Sequence, residues 1–291
     1  DDIDTTALEA NVTQLDNIRD AINWGNAWAR SGFIFICRHV QRHDQGDFRL
    51  DQPYYIVDIS VPKLSLEESI PLLDHPGLVT EFRSGAGSLQ WVSGMSRPDV
   101  FADTIMLQIP IHELTVSDLK EVNRTLKYLK ATADTYIVAN KFDWQDFALV
   151  PYGDVSFANA PGTKSQGALM TEGTLKDAST ASTLAFVSEW KSHGMKRTLR
   201  STLAAEATSQ DTPVDDADFL ECVLSERFDP DYKVAAACGG ESLIPIIPAT
   251  DCRSSYDAVH RLATSFSEKR TEIDCLRQTA KRLRWISNTQ Q

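Results

Sequence analysis

Three runs between residues 147 and 190, FALVPYGDVSFAN, GALMTEG and STLAFVSEW, are rich in apolar, β-branched and aromatic residues. The stretches PGTKSQG and EGTLKDA separate them. Such side chains suit a pleated backbone, and short polar connections containing glycine suit hairpins, so the pattern predicts a three-stranded antiparallel meander. A long helix is expected next, from about Ser201 to Arg227, with Leu203, Ala207, Phe219, Leu220, Val223 and Leu224 as its apolar positions. LIPIIPATD reads as an apolar strand despite Pro245 and Pro248. SSYDAVHRLATS and EKRTEIDCLRQTAKR read as helices, and LRWIS as a final strand. The order β-β-β-α-β-α-α-β predicts a mixed α/β sheet covered by helices.

The chain before Phe147 has a different character. Leu8, Val12, Leu15, Ile18 and Ile22 recur at helical spacing between Ala7 and Asn23. GFIFICRHV reads as a strand, with RHDQGDF as a turn into a second strand. QPYYIVDISV reads as a short helix ended by Pro62, followed by a loop to Pro76. Two helices joined by a turn at SRPD are expected across TEFRSGAGSLQWVSGMSRPDVFADTIMLQ. TVSDLKEVNRTLKYLKAT should form a third, with Leu119, Val122, Leu126 and Leu129 on one face and a Thr or Ser cap. This part is therefore expected to be a helix-rich α+β unit over residues 1–146, with a second unit over residues 147–291.

Composition narrows the function classes. Apolar residues make up 42% and charged residues 24% of the 291, which is enough to build a core. No apolar run approaches the roughly 18 residues of a membrane span. The start, DDIDTTALEANV, has no signal-peptide pattern and no initiator Met, so a processed product or a piece of a longer chain is expected. The cysteines, Cys37, Cys222, Cys238, Cys252 and Cys275, are odd in number and form no CxxC pair. Free thiols in a reducing, intracellular setting follow from that, rather than zinc or a disulfide framework. The net charge is −12, and it is uneven: 22 acids stand against 13 bases before Phe147, and 19 against 16 from there on. A half so acidic argues against tight nucleic-acid binding there, whereas the second half is neutral enough to carry a basic face.

Three acids in the second half fall at element boundaries: Asp154 in GDVSFAN, Glu206 in RSTLAAE and Asp251 in PATDCRS. If the fold gathers them, a carboxylate cluster with no basic partner suits Mg²⁺, a hard cation that prefers oxygen ligands. The plainer alternatives are a strand-end acid, an exposed helix acid and a cap for the helix that follows Asp251. Ser201 and Thr202 are expected to cap a helix. His193 and His260 lack the spacing of a metal pair. Lys191, Lys196, Arg197 and Arg200 could meet a nucleic-acid backbone or simply be solvated. Lys269, Arg270, Lys281, Arg282 and Arg284 suit an exposed helix face, and Trp91, Trp144 and Trp190 suit a core.

GDVSFAN, KSQG, WKSHGMKRTLRSTLAAEA, TDCRSSYDAVH, EKRTEIDCLRQ and LRWISNTQQ together resemble the ribonuclease H domain of copia-type LTR retrotransposon polyproteins. FIFICRHV, LDQPYYI, FRSGAGSLQWVSGMSRPDVFA and LKEVNRTLKYLKAT resemble the end of the reverse transcriptase that precedes it, a thumb- or connection-like segment. The resemblance covers nearly the whole chain, in order. It implies a ribonuclease H-like mixed five-stranded sheet with flanking helices, and hydrolysis of the RNA strand of an RNA–DNA hybrid by two divalent metals, Mg²⁺ or Mn²⁺. In that pattern Asp154 bridges both metals, Glu206 holds one and Asp251 the other, and contacts to the 2′-hydroxyl select RNA.

Two departures qualify that expectation. The family pattern has a fourth acid shortly after a stretch like WISNTQQ, and the chain stops at Gln291 ahead of it. Hydrolysis is then expected to fall by orders of magnitude. Asp1 and Asp2 lack the residues that precede the polymerase aspartates, so no DNA polymerisation is expected. The alternative expectation is a domesticated, non-catalytic scaffold within a larger protein assembly.

Overall fold

The computed structural model describes residues 32–43, 46–64, 66–108, 113–160, 164–176, 184–196, 201–229, 232 and 243–260. The helices expected over Ala7–Asn23 and EKRTEIDCLRQTAKR, the strand LRWIS, and Arg197, Arg200, Lys269, Arg270, Lys281, Arg282 and Arg284 lie outside those residues.

GFIFICRHV does not run as one strand. It folds into a hairpin of β1 (Gly32–Phe35) and β2 (Arg38–Arg42), with Phe35 opposite Arg38. The turn consists of Ile36 and Cys37, at φ 51° and 61°. Two-residue hairpin turns need positive φ at both positions to match strand twist, and a β-branched residue there is strained. The next turn falls where expected, with Gly46 at φ 93°, and leads into β3 (Phe48–Asp51). A three-residue strand that the sequence did not announce, β4 (Ile137–Ala139), pairs with β3 and completes the antiparallel order β1-β2-β3-β4.

The helices of this part follow the sequence closely. α1 (Pro53–Asp58) begins on a proline and stops at the extended Ile59, ahead of Pro62. α2 (Pro76–Met95) and α3 (Phe101–Gln108) flank a tight turn over Pro98–Val100, at SRPD. α4 (Val116–Ala131) starts with a capping box between Thr115 and Asp118, in which the Asp118 carboxylate accepts the Thr115 amide at 2.7 Å. Leu119, Val122, Leu126 and Leu129 are all fully buried, each contributing about 1.5–3 kcal/mol of burial energy. Arg97, 1% exposed, donates to both Asp99 carboxylate oxygens and to the Thr132 carbonyl at 2.9 Å, tying the α2–α3 turn to the end of α4. Burial pushes the Asp99 carboxyl up, but the hydrogen bonds and charge of Arg97 outweigh it and hold it below the ordinary carboxylate value.

The meander is present as β5 (Phe147–Ala160), β6 (Lys164–Leu175) and β7 (Ala185–Gly194), antiparallel in that order. α5 (Thr202–Phe228) and α6 (Arg253–His260) follow. LIPIIPATD forms no regular strand. It lies parallel to β5 through two bridges, Leu149 with Ile246 and Tyr152 with Ala249. The amides of Ile247 and Ala249 donate to the carbonyls of Leu149 and Pro151 at 2.8 and 3.0 Å. Pro248 falls between these donors, where it costs no bond to β5 but offers no amide to a further strand. The described residues thus form a mixed α/β protein with two antiparallel sheets, of four and three strands, and six α-helices. They do not form the five-stranded mixed sheet that the resemblance implies.

Two of the apolar clusters among the described residues lie in different stretches of the chain. One gathers Ile56, Leu72, Phe82, Leu89 and Val92 with the buried face of α4. The other gathers Phe147, Leu149, Ala217, Ile244 and Ile246 between β5, α5 and the parallel segment. The Trp190 indole, on β7, donates to the Ser93 carbonyl on α2 at 2.7 Å, so this half-buried tryptophan is engaged in packing. Trp144 stacks on Phe228. Among the described residues no helix is long and apolar enough to cross a membrane.

Candidate functional site

Asp154, Glu206 and Asp251 come together. One carboxylate oxygen from each lies within 4.8 Å of the other two. Asp154 stands on β5 opposite Ala168 of β6, Glu206 lies in the second turn of α5, and Asp251 follows the parallel segment.

The local sequence explains the approach of α5. Its buried stripe is small and polar, including Ala204, Ala205, Ala207, Ser209, Gln210 and Ala217, so the helix backbone reaches the sheet. At Gly153 an added Cβ would stand 2.5 Å from the Ser209 carbonyl oxygen, so only glycine admits the helix at this distance. That carbonyl is also the one whose helical donor is missing, because Pro213, four residues on, has no N–H. The Ser209 hydroxyl donates to the Asp154 carbonyl at 2.6 Å, and the Gln210 side chain accepts the Gly153 amide at 2.9 Å. Ser201 caps the helix, its hydroxyl accepting the Ala204 amide at 3.2 Å. The apolar positions read from the sequence fall partly elsewhere: Phe219 is 72% and Val223 46% exposed. Size, not hydropathy, selected the buried face.

Asp251 is delivered by the parallel segment, and that segment is anchored at its start by a buried acid. Glu221 on α5, 3% exposed, accepts the Leu243 amide at 3.1 Å and the Ser225 hydroxyl at 2.7 Å through one oxygen. Its other oxygen accepts the Tyr232 hydroxyl at 3.4 Å. Asp251 makes no hydrogen bond to the backbone of α6 among the described residues. Cys252 instead accepts the Ser255 and Tyr256 amides through its carbonyl. The acid therefore does not serve as the helix cap its position suggested.

The electrostatics of the cluster are unbalanced. No Lys, Arg or His among the described residues pairs with any of the three acids. Asp154 and Asp251 are exposed, whereas Glu206 is buried and its Oε2 has no hydrogen-bond partner. Burial, and then the charges of Asp154 and Asp251, push the Glu206 carboxyl up to about 7. Three oxygen donors, one of them orphaned and repelled by the other two, fit a hard divalent cation.

The other sequence candidates lie apart from this cluster. His193 sits on β7 and is held below its usual pKa by burial and by Lys191 and Lys196. The side chain of His260 is outside the described residues. Lys191 is held between Glu189 and Asp216, 3.1 Å from the latter, rather than presented to a ligand. Sequence reasoning passed over Gly153, Ser209, Gln210 and Glu221. Helical spacing could have found two of them, since Ser209 and Gln210 follow Glu206 by three and four residues and share its face. No known protein family, curated protein or solved structure matches this chain.

Proposed function

We propose that this chain is a ribonuclease H-like nuclease of retroelement descent. In this reading Asp154, Glu206 and Asp251 hold Mg²⁺ or Mn²⁺ and the substrate is the RNA strand of an RNA–DNA hybrid. The observation that carries the reading is the convergence of three carboxylates from a strand, a helix and a parallel segment, within 4.8 Å, one of them a buried acid whose Oε2 has no hydrogen-bond partner. The three antiparallel strands with a parallel segment beside β5 support it as well.

A bound divalent cation supplies charge stabilisation at the phosphate and a water acidic enough to ionise near neutrality. The protein's part is positional. Glu206 supplies a buried carboxylate, and the exposed carboxylates of Asp154 and Asp251 stand on the solvent side, from which a phosphodiester would approach. The register between β5 and the parallel segment fixes the spacing of the two aspartates. Without the cation, Glu206 retains a proton near neutral pH, so cation binding and proton release are coupled.

The test is cleavage of an end-labelled RNA–DNA hybrid with Mg²⁺ or Mn²⁺, using the intact chain and Asp154→Asn, Glu206→Gln and Asp251→Asn. Metal-dependent cleavage lost in all three variants is the expected result. Absence of cleavage, together with no thermal stabilisation by either cation, overturns the reading. The strongly acidic region before Phe147 favours one alternative, a non-catalytic scaffold in a larger assembly, and that second result would leave it standing.

A further inference from the structure

A groove of about 960 Å³ opens between residues 59–64 and α4, far along the chain from the carboxylate cluster. Lys63, Lys120, Arg124, Lys127 and Lys130 line it. The last four recur at intervals of three and four residues, so they form one stripe along the helix. The stripe is about 15 Å long at 1.5 Å per residue. This concentration of positive charge stands in the part of the chain where acids outnumber bases 22 to 13. Local acids offset only some of it: Lys120 pairs with Glu68 at 3.2 Å and Arg124 with Glu121 at 2.7 Å. Lys130 donates to the Val57 carbonyl. Lys63 and Lys127 have no acidic partner among the described residues and are exposed.

The floor of the groove is apolar, formed by Ile59, Val61, Pro62 and Leu64. Asn123 lies among them, 6% exposed. Its Nδ2 donates to the Pro62 carbonyl at 2.9 Å, which fixes the amide's orientation and leaves Oδ1, an acceptor, with no partner.

We propose that this groove docks an acidic amphipathic peptide segment of a partner protein. Carboxylates answer the cationic stripe, and apolar side chains cover the floor, as when an amphipathic segment lies in a groove. A nucleic-acid strand fits less well, because none of the lining residues is aromatic and bases have no stacking platform. The stripe accommodates about ten residues of helix or four to five of extended chain.

The test uses the full chain in EDTA, so that its outcome is independent of cation binding and of the nuclease reading. The probe is a fluorescein-labelled 15-residue peptide with Leu at helical spacing and Glu elsewhere, followed by anisotropy. Saturable binding is expected, at least tenfold weaker for Lys63→Glu/Lys127→Glu, weaker in high salt, and poorly competed by polyglutamate or by oligo-dT of equal length. Circular dichroism of the double variant checks that these exposed changes leave the fold intact. Failure of the peptide to bind, binding unaffected by the double variant, or tighter binding of oligo-dT at the same lysines each overturns the proposal.

Discussion

Asp251 and Asp154 bring carboxylate oxygens within 4.8 Å of each other and stand 97 residues apart, the same offset as the parallel bridges of Leu149 with Ile246 and Tyr152 with Ala249. The parallel alignment therefore brings two carboxylates from distant parts of the chain together beside the middle of β5. Glu206 reaches them from above because α5 lies directly on β5 at Gly153.

That contact makes Gly153 the most sensitive position near the cluster. Gly153→Ala places a methyl group 2.5 Å from the Ser209 carbonyl oxygen and forces α5 outward. A loss of about 1–3 kcal/mol is expected in urea denaturation, the usual cost of overpacking. The stabilisation of the protein by Mn²⁺ should fall with it, since Glu206 moves with the helix.

The raised Glu206 carboxyl has a definite sign. Its pKa in the folded protein, about 7, exceeds the ordinary value of 4.5, so its contribution is present in full below about pH 4.5 and is lost as pH rises through 7. In EDTA, Glu206→Gln is expected to stabilise the protein at pH 8 by about 3 kcal/mol, since each pKa unit is worth 1.36 kcal/mol, and to change little at pH 4. Chemical denaturation at the two pH values measures both. Asp154→Asn should lower the Glu206 pKa by removing a neighbouring charge, which carboxyl NMR titration reads.

Glu221 fastens the segment that carries Asp251. Glu221→Ala leaves the Leu243 amide and the Ser225 hydroxyl without their acceptor, a loss of about 2–3 kcal/mol for buried groups bonded to a charge. Glu221→Gln keeps an acceptor and should lose less. Hydrogen exchange at Ile247 and Ala249, whose amides bond β5, should rise in the Ala variant before exchange elsewhere on β5.

The β1–β2 turn offers a stabilising change. Ile36 and Cys37 occupy positive φ that asparagine and glycine adopt at lower cost. Replacing the pair by Ile36→Asn and Cys37→Gly is expected to raise stability by about 1 kcal/mol, read as a shift in the urea midpoint with an unchanged slope.

That same turn shows where sequence reading fails. GFIFICRHV contains none of the residues that mark a two-residue turn, so its apolar run reads as one strand. The partner strand, not local preference, imposes the fold-back. The helices α2, α3 and α4 were legible because burial, capping and the proline in SRPD act within a few residues of each other. β4 was not, because three residues are too few to display a period, and only pairing with β3 defines it. On α5 the largest apolar side chains marked the wrong face in part, since close approach to Gly153 required small residues there.

The sequence by itself determined most of the helices, the meander of β5 to β7, the change of character near Phe147 and the identity of the three acids, because propensity, capping and apolar period are short-range properties. Tertiary structure decided that those acids share one site, that Glu206 is the buried and orphaned member, and that Glu221 anchors the segment bearing Asp251. Each of these depends on strand register and helix docking, which are set by contacts between residues far apart in the chain.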